Sequence, residues 1–395
     1  MQEVYYITDM PLIRENINPA LLTFSRERMG YDIPVIARKV SVNEERWLKW
    51  EQGEEKPTTN QLIKLADKLD RTPAFFYLEN VPDEEEPLSE FRTLNNLPLE
   101  SASPKLIAAI REARRNREEL FRLYAEMNLT PKTIPEYAVT GQAITDIANG
   151  TREWLGLTFD IQSSWTNTSN ALTNWKTLLE DQDVYVLQYP SVEVEESRGF
   201  AIAEDQFPVI GINSRDSYNA RIFTLIHELA HLLFRNSVLI NDSLTNYFGN
   251  SRTLEQKCNR LAAEILVPGE DAAREFNRSE LSFREIKRIS NRFRVSGYVM
   301  LIRLRNLDLI TQDEYNWLEP EFSFYNQNSG GGDGGDPYYN RIVQKGRLYL
   351  KAAFQSYFNG QITIAELANL TGWKVPNLNE LAAKTFGWTE EGQYV

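Results

Sequence analysis

The sequence predicts an α+β fold that is predominantly helical. Apolar residues recur with helical spacing, between capping residues, along most of the 395 residues. β-Prone segments are confined to residues 184–187, 200–203 and 208–213, and the last of them leads into an apolar helical run at residues 223–234. We expect these segments to form a small antiparallel sheet beside that helix, with one edge able to bind an extended peptide as an added strand.

Shifts in composition divide the chain into five predicted parts. The acidic stretch between Pro82 and Pro87 and the Gly-rich stretch 329–336 are typical of linkers. The parts are a helical N-terminal domain (1–80), a linker with connecting helices (81–150), a domain that contains the strands (151–325), a Gly-rich linker (326–337) and a small helical C-terminal module (338–395). After the apolar helix we expect a loop at residues 235–251 and further helices at 253–266, 283–291 and 296–306.

The N-terminal domain is predicted to contain four short helices, at residues 19–29, 32–40, 43–52 and 59–69. The second and third are joined by the short turn Val40-Ser41-Val42, which is helix-turn-helix spacing. The segment resembles the Xre-type helix-turn-helix domain of phage repressors. The resemblance is carried by Ile36-Ala37, Trp50-Glu51-Gln52-Gly53, Pro57, Leu62, Leu65-Ala66 and Phe75-Phe76.

The third of these helices is the one that would read DNA. Its candidate contacts are Asn43, Arg46 and Lys49. Glu44 and Glu45 occupy its first turn, however, and carboxylates repel phosphate. Between Arg14 and Glu79 the sequence holds 11 Lys and Arg residues against 11 Asp and Glu residues, so it has no basic footprint. Two interpretations stay open: DNA binding, and a module that dimerises or recognises another protein.

Composition restricts the class of protein. A hydrophobic content of 42% with 25% charged residues is ordinary for a soluble globular chain, and no run of 18 apolar residues predicts a membrane span. The N-terminal residues lack the pattern of a secretory signal, and a single cysteine, Cys258, fits a reducing cytoplasm. The net charge of −13 argues against binding nucleic acid with the whole surface.

The pattern His-Glu-x-x-His lies inside the apolar helical run. His227 and His231 are four residues apart, about 400° of helical rotation, so both imidazoles lie on one face one turn apart. They are the only 2 histidines of the chain. Two imidazoles at this spacing can bind Zn²⁺, and Glu228 beside the first can accept a proton from water on the metal.

A third ligand is needed, since a catalytic zinc usually has three protein ligands. The candidates are Glu255, Glu264 and Cys258 on the following helix. The two glutamates are nine positions apart and face opposite sides of that helix, so only one can reach the metal. We favour Glu255, which shares a face with Asn259, a residue able to orient a ligand. Glu264 is expected to be a surface charge and Cys258 a small buried hydrophobe.

These residues predict metal-assisted peptide hydrolysis. The oxyanion of the tetrahedral intermediate needs a further donor, and no third histidine is present to supply one. That donor would be a Tyr, an Arg or a backbone N–H. The side chains that flank the motif and could donate are Tyr218, Arg221, Tyr247 and Arg252, among which the sequence does not decide.

Residues 20–320 as a whole resemble the ImmA/IrrE metallopeptidases. The resemblance is carried by Asn213, the segments 224–231 and 255–268 and, at the join to the N-terminal domain, Phe91-Arg92. It implies a zincin-like domain in which His227, His231 and Glu255 bind zinc and Glu228 is the catalytic base. Leu261 and Val267 depart from the usual aromatic and Met residues of the family, but both changes remain apolar.

The resemblance also implies a substrate and a setting. Members of the family cut a helix-turn-helix repressor, so that stress, mobile-element or prophage genes are switched on. Two alternatives are kept beside this expectation. The chain could be a DNA-binding transcriptional regulator, or a toxin–antitoxin component that acts by complex formation without proteolysis. A homodimer is a further expectation for the helix-turn-helix domain.

Overall fold

The computed structural model describes residues 14–69, 71–82, 102–137, 141–234, 251–327 and 336–387. Contacts divide the chain into two units, Met1–Arg111 and Glu112–Val395. The division falls inside one long helix, α5 (Pro104–Glu126). No helix in the described ranges is long and apolar enough to cross a membrane.

The first unit contains the four helices that the sequence predicts before residue 70. They are α1 (Pro19–Arg28), α2 (Ile33–Val40), α3 (Glu44–Glu51) and α4 (Thr59–Lys68), followed by a 3-10 turn at Pro73–Tyr77. Side-chain caps fix where they begin: Asn43 accepts a hydrogen bond from the N–H of Arg46, and Thr58 forms a capping box with Gln61. Trp47, Trp50 and other buried apolar residues of all four helices form one core.

The second unit begins with helices and then forms the sheet. The elements are α6 (Ile144–Trp154), α7 (Phe159–Ser164), α8 (Thr168–Glu180), β1 (Tyr185–Tyr189), β2 (Gly199–Ile202), β3 (Val209–Asn213) and α9 (Tyr218–Phe234). They continue with α10 (Ser251–Leu266), α11 (Gly269–Glu275), α12 (Phe283–Phe293), α13 (Gly297–Asn306) and α14 (Gln312–Gln327). The last four helices are α15 (Pro337–Lys345), α16 (Arg347–Phe358), α17 (Ile364–Thr371) and α18 (Leu378–Phe386). The expected α+β fold, predominantly helical, is confirmed.

The sheet is mixed, which corrects the expectation of an antiparallel one. Its strand order is β1-β3-β2, with β2 antiparallel and β1 parallel to β3. Strand β3 is inserted between the two earlier strands. It is antiparallel to β2, the strand that precedes it in the chain, and parallel to β1. The run of β-prone residues predicts that strands form, but strand direction depends on where a strand is inserted.

Helices cover β1 and β3, so every residue of these two strands is buried. Helix α9 packs against β2 and β3, while α8, α15 and α16 contact β1. Helix α9 also packs against α8 and α10 and is apolar on almost all sides, as expected of a helix at the centre of a unit. The motif histidines are therefore carried by a helix that packs against two strands and two helices.

The C-terminal helices belong to the second unit and are tied to β1 and α8 by polar contacts. The hydroxyl of Tyr185 donates to the carbonyl of Lys345 at 2.9 Å and accepts from the amide of Asn116 at 3.0 Å. The buried carboxylate of Glu180 accepts a hydrogen bond from the N–H of Leu348 at 3.1 Å, at the start of α16. Gly346 lies against the carbonyl of Val186 with φ of 80°, where a Cβ would come within 2.6 Å of that oxygen.

Candidate metal centre

The candidate ligands come from two adjacent helices, α9 and α10. His227 and His231 lie one turn apart on α9, and their Nε2 atoms are 3.1 Å apart. From α10, the Oε2 of Glu255 lies 3.2 Å from His227 Nε2, and its Oε1 lies 3.3 Å from His231 Nε2. Glu255 side-chain exposure is 30%, so the cluster opens to solvent on one side.

The spacing of these donor atoms fits a zinc ion. Zinc bonds of 2.0–2.1 Å to nitrogen or oxygen in a tetrahedral site separate the ligand atoms by about 3.3 Å. The three separations of 3.1, 3.2 and 3.3 Å are close to that value. Two imidazoles and one carboxylate are also a donor set of catalytic zinc sites, in which a fourth position stays open. Among the residues that the structure describes, these three form a group able to hold a metal ion.

The two imidazoles are held in different ways. The ring of His227 stacks on that of Phe223, one turn earlier, with centroids 6.2 Å apart. The Nδ1 of His231 lies 3.6 Å from the Sγ of Cys258, which is buried on α10. Because Nε2 of each ring faces the cluster, the second nitrogen of His231 is free to hydrogen-bond to the thiol. Cys258 is thus buried, as expected, and also contacts a candidate ligand.

Glu228 lies beside the cluster and is buried, with 6% of its surface exposed. Burial raises the pKa of its carboxyl above the usual value, and the neighbouring His231 and His227 oppose that rise. Contacts with His227 and His231 lower the pKa of Glu255 instead. The pKa values of the two carboxyl groups are thus shifted in opposite directions, which separates their roles. Glu228 is suited to accept a proton, and Glu255 is held ionised.

His231 responds to the same charges. Burial opposes its protonation, but its contacts with Cys258 and Glu255 and the charge of Glu228 outweigh burial and raise its pKa to about 11. The surroundings of this ring therefore stabilise positive charge. A divalent cation coordinated at Nε2 would be stabilised by the same carboxylates.

Strand β2 brings Gly199, which the sequence analysis did not single out, close to Glu228. A Cβ on Gly199 would lie 2.4 Å from Thr224 Cγ2 and 3.2 Å from Glu228 Oε1. Only a glycine allows β2 to approach α9 this closely. The signal in the sequence was a glycine at the start of a β-prone run, but nothing local to it indicated contact with a residue 29 positions later.

The outer edge of β2 is open among the described residues, where no strand pairs with it on the side away from β3. The N–H of Asn213 donates to the carbonyl of Arg198 at 2.8 Å, so Arg198 faces β3, as do the alternate residues Phe200 and Ile202. Gly199 and Ala201 therefore direct their backbone groups away from β3, although the Gly199 carbonyl accepts from Ser197 Oγ at 3.1 Å. An extended peptide could add to this edge beside Glu228.

Glu264 is not a surface charge, which corrects the expectation for it. It is buried, with 7% of its surface exposed, and it forms an ion pair with Arg303 of α13. Its Oε1 also accepts a hydrogen bond from the N–H of Gly269 at 2.9 Å. The partner Arg303 lies 39 residues away, too far along the chain for a helical pattern to reveal it.

Asn259 and two of the candidate oxyanion donors, Tyr218 and Arg221, are not part of the ligand cluster. Asn259 is exposed on α10, one turn after Glu255, and its role in orienting a ligand stays a prediction. Arg221 donates to Gln188 of β1 at 2.9 Å and stacks over the ring of Tyr218 at 4.2 Å. Both residues lie at the start of α9, and Arg221 precedes His227 by about 9 Å along the helix axis.

The side chains of the remaining two donor candidates lie outside what the structure describes. Tyr247 lies outside the described residues. Arg252 lies within α10, but its side chain is outside what the structure describes. The residue that stabilises the oxyanion is therefore still a prediction among these four.

The three candidate DNA contacts are on or next to α3 of the first unit. Asn43 caps the helix through its side chain, which accepts from the N–H of Arg46 at 2.9 Å. Arg46 forms an ion pair with Glu55 at 3.0 Å, and Lys49 forms one with Glu45 at 2.7 Å. Both cations of the helix are thus paired within the chain, and DNA binding by them stays a prediction.

The geometry described above defines a class of protein. A His-Glu-x-x-His helix packed on a small sheet, with a carboxylate from the next helix, is the arrangement of metallopeptidases. Residues 179–305 match the family model of the IrrE N-terminal-like domain, Peptidase_M78. The match supports the ImmA/IrrE family of metallopeptidases for this part of the chain, as the sequence resemblance implied. No curated protein matches the chain.

Proposed function

We propose that the protein is a zinc-dependent endopeptidase that cuts a helix-turn-helix repressor in the cytoplasm. The observation that carries the proposal is the triangle of donor atoms from His227, His231 and Glu255, with edges of 3.1 to 3.3 Å, beside the buried carboxylate of Glu228. A metallopeptidase implies a protein substrate and a metal, which in this family is usually zinc.

In the proposed reaction, different residues bind the substrate, hold the metal and transfer the proton. The open edge of β2 would hold the substrate as an added strand through the backbone groups of Gly199 and Ala201. Zinc at the three ligands would supply Lewis acidity, polarising the scissile carbonyl and making water acidic enough to attack it near neutral pH. Glu228 would accept the proton of the attacking water and pass it to the leaving amine. Its burial, which raises its pKa, suits a group that must both accept and release a proton.

Two features support a repressor as the substrate. The first unit resembles the Xre-type helix-turn-helix domain, and such a domain can pair with a similar domain of another protein. The cations of α3 are held by Glu55 and Glu45, which leaves a surface of mixed charge and favours contact with protein over phosphate. Cleavage of the repressor would then release genes for stress response, mobile elements or a toxin–antitoxin pair.

The test combines metal analysis with cleavage. The purified protein is expected to contain one zinc per chain, and co-expression with repressors encoded beside its gene is expected to yield a defined cut in one of them. Glu228→Gln preserves size and should retain zinc but lose at least about 1000-fold of the cleavage rate. Cleavage by this variant would show that the assigned base is wrong. A stable complex between the zinc-loaded wild type and an intact repressor would support regulation by complex formation instead.

A further inference from the structure

A groove with a volume of about 1060 Å³ lies beside the candidate metal centre in the second unit. One wall is apolar and includes Phe223, Tyr298 and Ile302, while Lys257, Asn259 and Arg260 line the side formed by α10. The volume corresponds to several amino-acid side chains, since pockets of about 300–1000 Å³ enclose drug-sized ligands.

The groove continues from the metal centre through two residues. Phe223 lines the groove and stacks on the ring of His227, with centroids 6.2 Å apart. Asn259 lines the groove one helical turn after Glu255 on α10. One end of the groove therefore lies within one helical turn of the candidate ligands His227 and Glu255.

The charge of the groove is opposite to that of the chain. Its lining contains the cations Lys257, Arg260 and Arg303 and one anion, Glu264, whereas the whole chain has a net charge of −13. Glu264 and Arg303 neutralise each other in a buried ion pair. The lining also contains Lys257 and the exposed Arg260 next to apolar walls, which strengthen the attraction of these cations for an anionic side chain.

We propose that this groove binds an acidic segment of the protein substrate, next to the bond that is cut. In this segment an Asp or Glu side chain would contact Arg260 and Lys257, and a neighbouring apolar side chain would pack on Phe223 and Ile302. The inference rests on the proposed peptidase function and adds the side-chain class that the enzyme selects. The apolar wall beside the cations favours a peptide over a phosphate-bearing ligand, which would not use it.

The experiment profiles cleavage of a synthetic peptide library by the full-length, zinc-loaded protein, with products sequenced by mass spectrometry. Asp and Glu are expected to be enriched about fivefold at one fixed position relative to the cut. Arg260→Glu and Lys257→Glu should each remove that enrichment, and the double variant should favour Lys or Arg there. Arg284→Glu is the matched control, because Arg284 is an exposed arginine on α12 outside the groove. It should leave the profile unchanged.

A second measurement separates the groove from the chemistry. Binding of a fluorescein-labelled Glu/Leu-rich peptide to full-length Glu228→Gln is followed by fluorescence anisotropy, with a Lys/Leu-rich peptide in parallel. Adding Arg260→Glu should weaken the first about fivefold and strengthen the second. Cleavage with no acidic preference, or binding that Arg260→Glu does not alter, overturns the groove assignment and leaves the peptidase proposal standing. If the binding shift is seen but neither the library nor a co-expressed repressor is cut, the groove assignment stands and the peptidase proposal falls.

Discussion

The two ends of α10 carry glutamates with opposite surroundings. Near its start, Glu255 is partly exposed and its close partners are the two imidazoles of α9. Near its end, Glu264 is buried and its oxygens are engaged by the guanidinium of Arg303 and the N–H of Gly269. Glu264 therefore has the partners that a buried carboxylate requires. Glu255 instead contacts two imidazoles that could also bind a metal ion.

This difference shows how a site and a structural ion pair can be told apart on one helix. A carboxylate that is fully satisfied by a cation and a backbone donor contributes to the fold, and its loss would leave Arg303 buried without a partner. Glu255 contacts two imidazoles and is partly exposed to solvent, so it does not neutralise a buried cation as Glu264 does. The comparison predicts that substitutions at the two ends change different measured quantities.

The largest effect is expected for Glu255→Ala. Removing one of three donors should weaken zinc binding by more than about 100-fold, because substitutions one shell further out already cost 10–100-fold. Cleavage should fall to background, while the metal-free protein should lose less stability than Glu264→Ala causes, because Glu255 is partly exposed even though it contacts both imidazoles. Zinc titration with a chelating indicator measures the affinity. Stoichiometric zinc in this variant would remove Glu255 from the ligand set.

Next comes Glu264→Ala, which should lower the free energy of unfolding by roughly 3–5 kcal/mol, since it leaves the Arg303 guanidinium buried and unpaired. Urea unfolding followed by circular dichroism measures the loss. Glu264→Gln serves as the control, because it keeps a hydrogen-bond acceptor for Gly269 and should lose less. Zinc affinity should be retained in both. Loss of zinc without loss of stability would mean that the two glutamates have been assigned the wrong way round.

Cys258→Ala addresses the contact behind the cluster. It removes the Sγ that lies 3.6 Å from His231 Nδ1, so the ring loses a partner that orients it, and zinc affinity should fall about tenfold. Cys258→Ser offers a hydroxyl at the same position and should recover part of that affinity. Competition with a zinc chelator measures both variants. Equal affinity of all three proteins would limit Cys258 to packing.

The smallest effect is expected away from the site, at Tyr185→Phe. The hydroxyl joins Asn116 and Lys345, and its loss should lower the free energy of unfolding by about 1–2 kcal/mol at neutral pH. Burial raises the pKa of Tyr185 well above 10, so the folded protein keeps this proton at a pH where the unfolded chain loses it. The wild type should therefore lose about 1.4 kcal/mol per pH unit above pH 10 that the variant does not lose.

Thermal unfolding between pH 7 and 11 measures this convergence. A gap between wild type and Tyr185→Phe that stays constant above pH 10 would show that the hydroxyl ionises in the folded protein, in contradiction to its burial. Zinc affinity should be the same in both proteins, since Tyr185 contacts the C-terminal helices and not the ligands.

Local patterns predicted much of the fold. The helix periods and caps indicated α1 to α4, α9 and α10 within a few residues of their observed bounds, because these signals lie within one or two turns of chain. The four-residue spacing of His227 and His231 and the face of Glu255 likewise follow from helical rotation alone. These features of the candidate metal centre can be predicted without knowing which distant residues are in contact.

What the sequence did not predict depends on contacts between distant segments. The direction of β1 relative to β3 depends on where β3 is inserted, and the burial of Glu264 depends on Arg303. The approach of Gly199 to Glu228 depends on how β2 lies over α9. In each case the two contacting residues are at least 24 positions apart in the chain, the separation of Tyr185 and Val209. Patterns within a single sequence do not indicate which distant residues will be in contact.

The covering of β1 by α15 and α16 bears on how the protein can be shortened. A chain that ends before Pro337 would expose a strand edge of Tyr185–Tyr189, all of whose side chains are buried in the intact protein. Bare apolar edges of this kind invite strand-to-strand association between molecules. Trimming at the glycine-rich stretch should therefore favour aggregation, even though the candidate ligands remain in the shortened chain.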